Sequence, residues 1–345
     1  MHRCLQLAAL GEGSVAPNPM VGAVLVFEDR IIGEGYHQKF GEAHAEVNCI
    51  SSVRPEDRHL IEKSALYVSL EPCSHYGKTP PCTNLILANR IKKVFIGSLD
   101  PFPAVSGKGV EILTQAGVEV TNGLLESECL HLNRRFITFH TRSRPYLILK
   151  WAQSLNGKIG SRQQRIKISH PVTDRIVHRW RAQEASILVG TRTAEIDDPL
   201  LTVRLWPGKN PLRVVIDNTL SVSPQSRVLN EEAETVIFNQ IKEGRQGHLQ
   251  YKKYEKGEEL LSALLSTLYH MQVQSVLVEG GAHTLQQFID RGLWDEARVI
   301  TNESLTIEDG VPAPELNDFI WDRSERYQTD LITWFTHRES TTLQE

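Results

Sequence analysis

The sequence predicts an α/β chain built as two layered domains. Three observations carry that expectation. Its 345 residues match about two domains of ~100–200 residues each. Short apolar runs of strand length alternate with longer amphipathic stretches, the pattern of helices laid on a sheet. A basic segment, Thr141-Arg142-Ser143-Arg144-Pro145, interrupts the alternation near the middle and reads as a boundary. The domains are accordingly expected at 1–142 and 143–345.

Each element follows from a local pattern. Residues 1–10 read as a short helix. Val21 to Phe27 is an unbroken apolar run, Glu28-Asp29-Arg30 supplies a turn, and Ile31 to Tyr36 closes a hairpin. A helix is expected to begin near Ala43. Ala65 to Leu70 reads as a strand, followed by a Pro/Gly/Ser-rich loop to Pro81 and a helix from Thr83 to Asn89. Val94 to Gly97 is a strand, Gly107 to Ala116 a helix stopped by Gly117, and Val118 to Val120 a strand. Leu124 to His140 reads as one helical run. In the second half, strands are expected at Tyr146 to Lys150, Ser186 to Val189, Arg213 to Asp217, Glu234 to Phe238 and Ser275 to Glu279. Helices are expected at Val172 to Gln183 and Glu258 to His270, and Gly280-Gly281 opens another. The polar stretch Asn239 to Gly257 reads as a surface excursion.

Charge and hydropathy exclude some partners. Thirty-eight basic against 42 acidic side chains give a net charge of −4. That leaves no positive footprint for nucleic acid or an anionic membrane. Mean hydropathy is −0.28, and no apolar run approaches the ~20 residues of a membrane helix. The five cysteines, Cys4, Cys49, Cys73, Cys82 and Cys129, form an odd, sparse set behind an N-terminus that lacks the pattern of an export signal. Reduced thiols and a cytoplasmic location are expected.

Two of those cysteines join a chemical constellation. His44-Ala45-Glu46 is followed by Pro72-Cys73 and Pro81-Cys82. One imidazole and two thiolates suit tetrahedral zinc with a fourth position left for water. Helix N-termini near the cysteines would favour their thiolates. Zinc brings the pKa of water toward ~7, and Glu46 can move protons between that water and a leaving group. This is the zinc nucleobase deaminase arrangement, H-x-E then P-C…C, with eight residues between the cysteines where that signature has two. A closed zinc site completed by Cys49 or His75, buried metal-free cysteines, and a nucleic-acid base deaminase with a C-terminal binding domain are the alternatives. Asn18, held between Pro17 and Pro19, can hydrogen-bond a heterocycle edge or serve simply as a turn residue.

The C-terminal half is less explicit. Glu279-Gly280-Gly281 lies where a strand gives way to a helix, a position that favours an anion, but it is no dinucleotide fingerprint. Asp197-Asp198-Pro199 is either a carboxylate pair or a capped turn. Arg165, Arg181 and Arg204 are single basic residues able to clamp a phosphate.

Taken together, Ala16-Pro17-Asn18-Pro19-Met20-Val21-Gly22, His44-Ala45-Glu46 and the run from Leu70 to Cys82 resemble the deaminase half of the bifunctional riboflavin-biosynthesis deaminase–reductases. The long spacing between cysteines is the norm in that family. Asp100 to Gly109 fits the same pattern. Leu149 to Lys158, Ile187 to Thr193, Asp197 to Arg204, Pro211 to Asp217 and Glu279-Gly280-Gly281 resemble its reductase half. The resemblance implies a cytidine-deaminase-like three-layer domain followed by a dihydrofolate-reductase-like domain. It implies zinc on His44, Cys73 and Cys82, Glu46 as the catalytic group, and Asn18 on the pyrimidine. NADPH would meet Ala152, Lys167, Thr193, Asp197, Gly280 and Gly281. A pyrimidine ribose-phosphate would meet Arg165, Arg181, Leu201, Arg204 and Glu279. Assembly into a homo-oligomer through the reductase half is also implied. The chain departs from the family at Asn156, where aspartate is usual, at Lys167 to His170, and across 297–316, where only Ala313-Pro314 echoes the expected motif. A deaminase with an altered or inactive reductase half is therefore the alternative reading.

Overall fold

The computed structural model describes residues 1–341 apart from 77–79, 103–105 and 162–165. The chain separates into two compact units, Met1–Ser143 and a second beginning at Arg144. No helix among the described residues is long and apolar enough to cross a membrane.

The first unit opens with helix α1 (His2–Ala9). Strands β1 (Gly22–Phe27) and β2 (Arg30–Tyr36) form the expected hairpin, with Glu28 at positive φ in the turn. Helix α2 (Ala45–Ser51), β3 (Ala65–Leu70), α3 (Cys82–Ala88), β4 (Lys93–Ser98), α4 (Lys108–Gln115) and β5 (Glu119–Thr121) follow. The sheet order is β2-β1-β3-β4-β5, antiparallel at β2/β1/β3 and parallel beyond. Successive strand residues face opposite sides, and this sets the layers. Ala23 and Leu25 face the core shared with Ala45, Cys49, Ile86 and Leu113, whereas Val24 meets Cys4 and Leu7 of α1. The result is three layers, helix on sheet on helix.

The expected single helix after Leu124 is two, α5 (Glu126–Leu132) and α6 (Arg134–Arg142). The break is at Asn133. Its buried amide accepts from Met20 N (2.8 Å) and donates to Met20 O (2.9 Å), so a tertiary contact overrides helical continuity.

In the second unit, β6 (Tyr146–Ser154) and β7 (Lys158–Ser161) precede α7 (Pro171–Gln183), β8 (Ser186–Gly190) and α8 (Thr191–Asp197). Next come β9 (Leu212–Ile216), β10 (Thr235–Asn239), β11 (Gly244–Gln246), β12 (Leu249–Lys253), α9 (Leu260–His270), β13 (Ser275–Val278) and α10 (Ala282–Asp290). Strands β14 (Glu296–Asn302), β15 (Gly310–Pro312), β16 (Phe319–Tyr327) and β17 (Asp330–His337) complete it. A ten-stranded sheet runs β11-β12-β10-β9-β8-β13-β6-β14-β17-β16. It is parallel from β12 to β14 and antiparallel at both edges. The parallel strands β8, β10 and β13 are buried along their whole length, as strands covered on both faces must be. Leu147, Leu149 and Leu188 face α9 and α10, while Ile148, Ile187 and Leu277 face Trp180 of α7.

The stretch Asn239 to Gly257 lies largely at the surface, as expected, but it is not an excursion away from the sheet. It supplies β11 and β12, and β12 pairs in parallel with β10. Its polarity belongs to a sheet edge, where side chains meet water. At the other end, Asp295 is fully buried and takes both ends of the Arg144 guanidinium (2.6 and 2.9 Å), tying the first residue of the unit to the start of β14.

Candidate active sites

In the first unit, the predicted metal ligands converge. His44 is the N-cap of α2, Cys82 is the first residue of α3, and Cys73 lies on the loop after β3. The His44 Nδ1 atom is 3.5 Å from Cys73 Sγ and 3.3 Å from Cys82 Sγ. Zinc–nitrogen bonds of ~2.0 Å and zinc–sulfur bonds of ~2.3 Å at tetrahedral angles place such donors about 3.6 Å apart. The donor set therefore fits a zinc ion. Among the described residues no fourth protein donor joins this group. Cys49, on the inner face of α2, is in the core, where burial pushes its thiol up, and His75 is exposed. The closed-site alternative thus lacks its ligand.

The backbone explains why α2 can deliver His44. The strand β2 carries Gly35, where a Cβ would lie 2.2 Å from Cys49 N, so α2 rests directly on the strand. The Cys73 loop is held by Glu71. Its buried carboxylate accepts from Asp100 N (3.1 Å), Gly107 N (2.9 Å) and Gly109 N (2.7 Å) at the N-terminal end of α4.

Electrostatics divide the two thiols. A hydrogen bond with Cys82 holds the Cys73 thiol down at about 4, aided by His44 and against burial. The same contact, with burial and the Glu46 charge, pushes Cys82 up. The helix N-terminus thus does not favour both thiolates, because the Cys82 N–H donates to Cys73 Sγ (3.3 Å) and Cys73 receives the benefit. Glu46, in the first turn of α2, is buried, and burial and Cys73 push its carboxyl above the usual range.

Asn18 reaches this site through His37. The His37 Nδ1 bonds Ala43 O (3.0 Å), so Nε2 accepts from Asn18 Nδ2 (3.1 Å), leaving the Asn18 carbonyl oxygen for a ligand. His37 lies edge-on to His44, with ring centroids 5.7 Å apart. Nothing in the spacing of the sequence marked this histidine.

In the second unit, a cavity of about 660 Å³ opens at the carboxyl ends of β6, β8 and β13, where ligands sit in open α/β sheets. Ala152, Lys167, Thr193, Asp197, Arg181, Leu201, Arg204, Glu279, Gly280 and Gly281 all line it. Arg165 and the motif positions 77–79 and 103–105 lie outside the described residues. The Arg181 guanidinium grips Glu279 through two bonds (2.9 and 2.8 Å), and Lys150 Nζ stands 3.6 Å from the same carboxylate. Burial alone would raise Glu279, but Arg181 and Lys150 overrule it and hold the carboxyl at about 2. Lys150 took no role in the sequence reading, although a lysine closing the apolar run from Tyr146 was the available signal.

Gly281 caps α10, and its N–H donates to Thr193 Oγ1 (2.7 Å), bringing two predicted cofactor contacts together. The size of the cavity falls within the ~300–1,000 Å³ of small-molecule sites, and its glycine-edged helix start fits a phosphorylated cofactor. Lys167 pairs with Asp174 (2.6 Å) at the rim. Asp197 and Asp198 are not a carboxylate pair. Asp197 faces the cavity, whereas Asp198 has positive φ and accepts from Arg227 N (2.6 Å). Asn156 accepts from Ile307 N (3.1 Å) and donates to Ile307 O (2.9 Å), while Ala313 N donates to Gly157 O (2.9 Å). Asn156 and Ile307, both in segments that depart from the family pattern, thus hold one another.

Comparison with known proteins agrees. Residues 1–98 match the cytidine and deoxycytidylate deaminase zinc-binding region, and residues 145–304 match the RibD C-terminal domain. The chain is 40% identical over 324 residues to riboflavin biosynthesis protein RibD of Aquifex aeolicus, covering 90% of this chain and 89% of that protein. It is 35% identical over 314 residues to the Escherichia coli RibD, covering 86% and 84%. The crystal structure of a diaminohydroxyphosphoribosylaminopyrimidine deaminase/5-amino-6-(5-phosphoribosylamino)uracil reductase from Thermotoga maritima superposes with a TM-score of 0.88. It is 36% identical and covers 98% of this chain and 97% of its own.

Proposed function

The chain belongs to the RibD family of riboflavin biosynthesis, and from that premise we propose how its side chains divide the work. It is a zinc-dependent deaminase in its first half and an NADPH-dependent reductase in its second. The reductase is a working half, not the altered one the departures at Asn156 and Lys167 raised as an alternative.

In the deaminase, His44, Cys73 and Cys82 hold the zinc ion, which when bound supplies Lewis acidity that makes water nucleophilic near neutral pH. Glu46 takes the proton of the attacking water and delivers it to the departing amine of 2,5-diamino-6-(5-phosphoribosylamino)pyrimidin-4-one. Asn18 offers its carbonyl oxygen to the ring's N–H groups.

In the reductase, NADPH when bound would supply the hydride that turns the opened ribose into the ribityl chain. Ala152, Lys167, Thr193, Asp197, Gly280 and Gly281 seat the cofactor. Arg181, Leu201, Arg204 and Glu279, with Arg165, seat the ribose-phosphate, so that binding energy at the phosphate positions C1′.

The observation that carries this reading is the convergence of His44, Cys73 and Cys82 with buried Glu46 in one unit, and the charged cavity in the other. Free cysteines support a reducing, cytoplasmic setting. The acidic balance supports the absence of a nucleic-acid partner. Outermost strand β16, with Phe319, Ile320 and Trp321 exposed, supports self-association through the reductase unit. The test is incubation with the diaminopyrimidine substrate, with and without NADPH, followed by mass analysis. Exchange of amine for oxygen without NADPH, then gain of hydrogen only with it, is expected. Reduction without prior deamination would overturn the order.

A further inference from the structure

Within the reductase cavity, the positive charge of Arg181 is committed to Glu279, and Lys150 faces the same carboxylate. Arg204 is not so committed. Its Nη1 bonds Thr202 Oγ1 (2.7 Å) and reaches Thr202 O (3.4 Å), while Nε and Nη2 have no protein partner among the described residues. Beside it, on α7, stands His178, which lines the same cavity at 5% exposure. The backbone N–H of Arg204 donates to His178 Nδ1 (3.0 Å). That bond fixes the tautomer: Nδ1 is the acceptor, so the proton of the neutral ring is on Nε2. Among the described residues, no protein group accepts that Nε2–H.

We propose that His178, through Nε2–H, and Arg204, through Nε and Nη2, together bind a phosphate monoester in the reductase cavity, with His178 serving as a neutral second donor. The proposal rests on the reductase reading and adds to it a binding residue that the motifs did not mark. The ring's surroundings agree with the neutral state. Burial, then the charges of Arg181 and Arg204, hold the imidazole down at about 4 against Glu279 and Asp174. The Arg204 guanidinium is itself pushed down, by burial first and then by Arg181 and Arg227, so an incoming dianion relieves a local excess of positive charge. Hydrogen bonds to charged acceptors are the stronger ones, and a donor already held by the backbone loses little freedom on binding. Two phosphate monoesters enter this reaction, the 5′-phosphate of the substrate and the 2′-phosphate of NADPH.

Two substitutions separate the two ring nitrogens. His178→Asn keeps an acceptor near Nδ1 and removes the Nε2 donor, whereas His178→Gln keeps a donor near Nε2 and removes the acceptor. Both are tested in the full zinc-loaded chain, with thermal melting and deaminase turnover as controls for folding. NADPH oxidation is followed with the deaminated ribose-phosphate substrate, with the same compound lacking its phosphate, and with NADH. His178→Asn should raise one KM by ~10-fold or more while kcat changes little, and His178→Gln should stay nearer the wild type. A rise in substrate KM that vanishes with the dephosphorylated compound assigns the 5′-phosphate. A rise in NADPH KM that vanishes with NADH assigns the 2′-phosphate. Unchanged KM values, or an equal loss with the phosphate-free partners, overturn the proposal. Should the wild type oxidise no NADPH, the reductase reading fails by itself. Calorimetry with ribose 5-phosphate and with 2′-phosphoadenosine then still decides His178, since neither ligand requires turnover: weaker binding of either by His178→Asn supports the site, and unchanged binding of both overturns it.

Discussion

The two sites bury charge in opposite ways. In the deaminase unit, Cys73, Cys82 and Glu46 crowd together, and burial first and then the charge of Cys73 raise the Glu46 carboxyl, against His44 and a hydrogen bond with Cys82. Like charges out of water push one another toward protonation, so the cluster is complete only around a cation. In the reductase unit, Glu279 is largely buried but is answered by Arg181 and Lys150. Two cations face that one carboxylate, so the network keeps an excess of positive charge, Arg204 beside it adds to the excess, and the site calls for an anion. The difference teaches how the halves diverge: one site gathers donors that could hold a metal, the other gathers positive charge that suits phosphates.

The largest break in that contrast is Glu46→Gln. Loss of the proton carrier should cut ammonia release by ~10²–10⁴-fold, while NADPH oxidation on deaminated substrate continues. Separate assays of the two activities check this, and an equal fall in both would show that the sites are not independent.

Glu279→Gln breaks the other side. It leaves Arg181 and Lys150 facing a neutral amide, and removing one partner from a buried pair costs about 3–5 kcal/mol. Denaturation followed by tryptophan fluorescence should show a destabilised second unit, with reductase activity lost and zinc content unchanged. Unchanged stability would mean that Glu279 is less enclosed than the structure shows.

A smaller effect tests whether Asn156 is a defect or a fitted replacement. Asn156→Asp turns the donor to Ile307 O into a carboxylate oxygen facing a carbonyl, at a cost of about 1–3 kcal/mol. The midpoint of denaturation should fall while the reductase keeps its kcat. A rise in stability would show that the family's usual aspartate suits this loop better.

The smallest effect is a pH difference. His178 binds its proton near pH 4 in the folded chain and near about 6.5 unfolded. Between those values the unfolded chain holds more protons, so stability falls as pH falls. The His178 contribution is full above about 6.5 and is lost toward pH 4. Melting wild type and His178→Asn at neutral pH and at about pH 5 should show the gap between them shifting toward the variant on acidification. A gap independent of pH would mean that His178 keeps its ordinary pKa.

The contrast also explains what could be read in advance. The deaminase ligands stand in two short motifs, and cysteine and histidine at such positions have few other uses. The hairpin of β1 and β2, and helices α3 and α7, follow from patterns of a few neighbouring residues. The break at Asn133 depends on Met20, more than a hundred residues away, and no window around Asn133 contains it. Strand β12 reads as a surface segment because its side chains stay partly exposed one strand in from the sheet edge, and its place between β11 and β10 is a property of the sheet.

By itself, then, the sequence determined the two-part α/β plan and marked the candidate metal ligands and Glu46, because each follows from residue chemistry and short-range periodicity. Only the tertiary structure decided that Arg181 answers Glu279 while Arg204 stays available, and that His37 turns Asn18 and Arg204 fixes the ring of His178. Those are pairings of ordinary polar residues far apart in the chain. Any arginine can pair with any carboxylate, and burial in one cavity is what makes the choice.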